Sequence, residues 1–149
     1  MTKNPYYITA IHEAAHIVYA YDEGYTCEWT KIITSEKNNA KTLLKFGSDS
    51  KIFHSLVARN HSKFEKIFSS QKESAFEIAK KIGKILAAGG CIEAIYLSKD
   101  PKLIFERDDL GSDLLKLNRI KLILSKYYNS SINFVDIVDF LTTKDTKFI

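Results

Sequence analysis

His12, Glu13 and His16 fall within the stretch YITAIHEAAHIVYAY, residues 7–21. On a helix, side chains four positions apart lie about 40° from each other around the axis and one turn along it, so both imidazoles face the same way. Two imidazole nitrogens at that spacing reach one tetrahedral zinc ion at about 2.0–2.1 Å. Glu13, directly after the first histidine, can meet a water on the metal without binding the metal itself. This is the H-E-x-x-H arrangement, which puts two ligands and a general base into one helical turn. Its chemistry is metal-assisted hydrolysis. Zinc lowers the pKa of a bound water to about 7 and polarises a scissile carbonyl, and the glutamate carries a proton to the leaving amine.

A catalytic zinc takes a third protein ligand and keeps a fourth position open. His54, His61, Glu93, Asp108, Asp109 and Asp113 are the downstream candidates. Taken singly, each histidine is more often a surface side chain and each carboxylate more often a helix cap or solvated charge, and only the H-E-x-x-H raises their standing as ligands. Asp113 lies at a predicted helix start, where a short carboxylate is held stiffly and can point back at a metal on a neighbouring helix.

The segment that carries His12 and His16 has the marks of an amphipathic helix. Asn4-Pro5 suits a helix start, apolar residues recur at Ile8, Ile11, Ala15, Val18 and Tyr19, and Gly24 suits a left-handed stop. From Cys27 to Phe46 the character changes to "CEWTKIIT" and "AKTLLKF" around the polar "SEKNN", which predicts a β-hairpin or a pair of short strands. Beyond Gly47 the pattern is helical, with Ile52, Phe53, Leu56 and Val57 on one face. Ser70 and Glu73 read as a capping box that opens a long helix with the stripe Phe76, Ala79, Ile82 and Leu86. Gly83, Gly89 and Gly90 within it mark either a break or a close packing contact. A polar loop, a strongly apolar helix from Asp113 and a short last helix around "NFVDIVDFL" complete the chain. The expected architecture is a single domain, residues 1–149, mostly α with a small β-hairpin or sheet element.

At 149 residues the chain is long enough to bury a substantial core, and 45% hydrophobic with 27% charged residues is an ordinary globular balance. The net charge of +4 comes from Lys and Arg interspersed with Asp and Glu. Without a basic block, nucleic acid is not an expected partner. Cys27 and Cys91 make no metal-type or disulfide framework, which reads as reduced thiols in the cytoplasm. Neither a signal-peptide pattern nor an apolar run of membrane-spanning length is expected from this sequence.

The three blocks AIHEAAHIVYAY, ILAAGGCIEAIYL and GSDLLKL occur in the order of the motifs in the peptidase domain of FtsH-type ATP-dependent zinc proteases, and the chain resembles that domain from about Pro5 to Tyr128. The resemblance implies an HExxH zincin-like helical peptidase domain with Zn2+ held by His12, His16 and Asp113. It implies Glu13 as catalytic base and a peptide or unfolded protein segment as substrate. It further implies that the Cys27–Phe46 hairpin holds substrate as an added strand, in which case a proline at Ile32 or Ile33 is expected to raise KM by removing a backbone donor. No AAA+ ATPase module is expected within these residues, so the implied activity is that of a stand-alone peptidase, with a homo-oligomer and a separate ATPase partner left open. The alternative is a catalytically inactive zinc-binding regulatory or protein-interaction module.

Overall fold

The computed structural model describes residues 5–33, 39–57, 61–104 and 111–143. Helix α1 (Pro5–Asp22) opens on proline, whose missing N–H is not needed in a first turn. It closes at Gly24 with φ +85°, where Tyr25 N–H reaches Ala20 O at 2.9 Å and Gly24 N–H reaches Tyr21 O at 3.1 Å. That pair of reversed bonds caps the last carbonyls and turns the chain into a strand.

Strands β1 (Thr26–Ile33) and β2 (Asn39–Lys45) form a two-stranded antiparallel sheet. Thr30 stands opposite Thr42, and a bulge between Cys27 and Trp29 leaves Glu28 as the extra residue. Along β2 the half-buried Ala40, Thr42 and Leu44 alternate with the exposed Lys41, Leu43 and Lys45. This two-residue period seats one face of the hairpin against α1.

A 3-10 turn (Gly47–Asp49) leads into α2 (Ser50–Val57), followed by α3 (His61–Ser70), α4 (Lys72–Tyr96), the short α5 (Pro101–Ile104), α6 (Gly111–Tyr128) and α7 (Phe134–Thr143). The expected capping box at Ser70 does not form. Ser70 is the last residue of α3, and its hydroxyl donates back to Lys66 O at 3.1 Å. Only Gln71 separates α3 from α4, and no side chain caps the α4 N-terminus. The Ser70 hydroxyl is used in closing one helix and is not available to open the next.

Helix α4 is the axis of the molecule, packed against α1, α6 and α7. More than a single stripe of it is buried, because partners cover it on several sides. It runs unbroken through "AAGG", and Gly83 and Gly89 mark close packing contacts along it. At Gly83 a Cβ would sit 2.5 Å from Ile132 Cδ1 and 3.3 Å from Ile120 Cγ2. Around this axis Leu117, Ile120 and Leu124 of α6 and Ile137 and Leu141 of α7 are fully buried. Each such side chain contributes roughly 1.5–3 kcal/mol of apolar burial. Among the described residues, no helix is long and apolar enough to cross a membrane.

Candidate metal centre

His12 and His16 project from one face of α1, as the helical period requires, with ring centroids 4.8 Å apart. Each ring is oriented through its Nδ1. His12 Nδ1–H donates to Glu93 Oε2 of α4 at 2.8 Å, and His16 Nδ1–H donates to Ile85 O of α4 at 2.7 Å. With a proton fixed on each Nδ1, both Nε2 atoms turn toward the opposite side of the rings. There they meet a single oxygen. Asp113 Oδ2, from the first turn of α6, lies 3.2 Å from His12 Nε2 and 3.0 Å from His16 Nε2.

The electrostatics follow from this convergence. Burial acts to lower the His12 pKa, but the hydrogen bonds and charges of Asp113 and Glu93 outweigh it and push the value up to about 10. Burial likewise acts to raise the Asp113 carboxyl, and the hydrogen bonds from His12 and His16 hold it well below the usual carboxylate range. The Asp113 and Glu93 carboxylates thus favour a positive charge on the His12 ring between them.

Three observations fit this donor set to a divalent metal. Two nitrogens and a carboxylate oxygen are the donor types of catalytic zinc. Ligands about 2.0–2.1 Å from a tetrahedral zinc lie about 3.3 Å from one another, close to the spacings found here. The backbone also makes room for the rings. A Cβ on Gly89 would lie 2.5 Å from His16 Nε2 and 2.6 Å from His12 Nε2, so only glycine lets α4 pass this close beneath them. Glu13 completes a compact donor group, its ligand-capable atom lying within 4.8 Å of those of His12 and His16.

Glu13 is 9% exposed and accepts a hydrogen bond from the Thr42 hydroxyl of β2. It borders a cleft of about 410 Å³ shared with His16 and Asp113. One wall is β2, which contributes the five consecutive residues from Ala40 to Leu44. Since side chains alternate along a strand, an unbroken run of lining residues means that the strand meets the cleft along its edge. The edge at the cleft therefore belongs to β2, not to Ile32 and Ile33 of β1. From β1, Trp29 lines the cleft.

Of the expected ligands, Asp113 joins His12 and His16 through their Nε2 atoms. Glu93 reaches the same cluster from the other side, on His12 Nδ1. His54 is exposed on α2 with its ring against Phe53. His61 opens α3. Asp108 and Asp109 lie outside the described residues. The Thr42 hydroxyl, the Ile85 carbonyl and the Gly89 cradle had no recognisable signal in the sequence, apart from a glycine placed within a helix. No protein-family model, curated protein or solved structure matches the chain.

Proposed function

We propose that the protein is a zinc-dependent peptidase in which His12, His16 and Asp113 hold the metal and Glu13 is the general base. The observation that supports this most directly is the convergence of both Nε2 atoms on Asp113 Oδ2, with each Nδ1 tied to its own acceptor. Zinc held by these residues would act as a Lewis acid toward a scissile carbonyl and would make a water acidic enough to ionise near neutrality. Glu13, beside the ligands and facing the cleft, takes the proton of the attacking water and returns it to the departing amine. The β2 edge holds an extended peptide by main-chain hydrogen bonds. The exposed Trp29 and Leu43, opposite each other on the hairpin, contact its apolar side chains. The motif order shared with FtsH-type peptidase domains agrees with this reading.

Full-length protein purified without chelator is expected to carry about one zinc per chain, and Glu13→Gln to keep that zinc while losing about 10²–10⁴-fold in turnover of unstructured peptides. Failure to retain or take up zinc would reject the metal site. Undiminished turnover by Glu13→Gln would reject Glu13 as base. A zinc-loaded wild type that is inert on peptides would instead identify a zinc-binding module without hydrolytic activity.

A further inference from the structure

We infer that Thr42 is a positioning residue that holds Glu13 by one carboxylate oxygen, so that the strand bordering the cleft also orients the base. The inference rests on the hydrolytic reading above. Three observations carry it. The Thr42 hydroxyl donates to Glu13 Oε2. Thr42 Oγ1 also lies 2.8 Å from Oγ1 of Thr30, its directly opposed partner on β1. Glu13 is nearly buried, and Thr42 comes from the strand whose edge lines the cleft.

The direction of this chain follows from proton counting. A hydroxyl has one proton to donate, and an ionised carboxylate only accepts. The Thr42 proton is therefore committed to Glu13, and the proton between the two threonines comes from Thr30. Thr30 donates to Thr42, and Thr42 donates to Glu13. A β-branched side chain on a strand is stiff at χ1, so Thr42 is a firm anchor for a glutamate that otherwise has three rotatable bonds. With Oε2 held, Oε1 is left to meet the water. Valine matches threonine in shape and lacks only the hydroxyl, so Thr42→Val removes the anchor and leaves the wall in place.

A hydrogen bond to a charged group corresponds to about a 10–100-fold effect, so Thr42→Val is expected to lower kcat by about that factor. KM for peptide and affinity for zinc should stay within about twofold, because neither the β2 backbone nor a metal ligand is altered. Thr42→Ser restores the hydroxyl and should restore kcat. Thr30→Val, one bond further from the base, is expected to lower kcat by about 2–5-fold with KM unchanged, and it carries the same test should Thr42→Val fail to fold. A second readout needs no activity. In thermal unfolding of the full-length, chelator-treated protein, Thr42→Val should lower Tm in the wild type and much less in a Glu13→Ala background, where no carboxylate is left to satisfy. The proposal is overturned if folded Thr42→Val keeps wild-type kcat, if Thr42→Ser is as slow as Thr42→Val, or if the Tm loss is equal in both backgrounds. A zinc-loaded but inert wild type would overturn the hydrolytic reading itself, and the unfolding cycle separates that failure from an absent Thr42–Glu13 contact.

Discussion

Asp113 and Glu93 both touch His12, but on opposite ring nitrogens, and that difference divides their work. Asp113 faces the two Nε2 atoms, where a metal would sit, whereas Glu93 fixes the tautomer and the tilt of one ring. Asp113→Ala is expected to weaken zinc by more than the roughly 10–100-fold typical of losing a group that only orients a ligand. Glu93→Gln, whose amide oxygen can still accept the Nδ1 proton, should stay below about tenfold. Chelator-competition titrations of the two folded variants decide the matter, and the reverse order would move the third ligand to α4. Gly89 offers a sharper case. Replacing a helical glycine by alanine ordinarily stabilises by about 1 kcal/mol. Here the added Cβ would overlap both Nε2 atoms, so Gly89→Ala is expected to lose zinc affinity at least about tenfold and to gain nothing in Tm. Wild-type zinc affinity together with a higher Tm would show that the rings are not confined by α4.

At the scale of elements, the hairpin has two duties that its geometry keeps separate. One face of β2 packs toward α1 and delivers Thr42 to Glu13, while the edge of the same strand runs along the cleft. An edge recognises backbone, so binding should depend on the peptide's main-chain donors and should alternate along its length. We expect a peptide N-methylated at successive positions to show a period of two. Methylation at every second residue near the scissile bond should raise KM by about 2–10-fold, the worth of one ordinary hydrogen bond, and methylation between them should have little effect. A flat response, or one following side-chain identity alone, would place the substrate elsewhere in the cleft.

For the whole molecule, the site is a junction of elements distant in sequence. Helix α1 brings His12, Glu13 and His16, α4 brings Glu93, the Ile85 carbonyl and the space at Gly89, α6 brings Asp113, and β2 brings Thr42. A metal shared by His12 and Asp113 would tie together positions 101 residues apart and bind only where α1, α4 and α6 are already assembled. Binding energy available only to the folded chain adds to stability, about 2.7 kcal/mol when free zinc is 100-fold above Kd. Removing zinc by chelation is therefore expected to lower Tm by about 5–10 °C, reversibly on adding zinc back. An unchanged Tm after metal analysis confirms removal would mean that these elements do not meet at a bound ion.

The parts of this arrangement that are legible in the sequence are those governed by a local period. His12 and His16 share a face because a helix repeats every 3.6 residues, whatever surrounds it. The hairpin and the Gly24 stop are equally local, and both appear in the structure. Ser70 shows the limit, since a capping pattern is also satisfied by a serine that closes the preceding helix. The choice between Asp113 and Glu93 is of a different kind. Both are acidic residues on helices, and their roles depend on which side of the His12 ring each helix approaches, a matter of packing around α4. Gly89 and Thr42 belong with them. A glycine needed for space and a threonine needed for one hydroxyl differ from any others only through neighbours that the tertiary fold supplies, because their contacts are made across elements and no spacing along the chain encodes them.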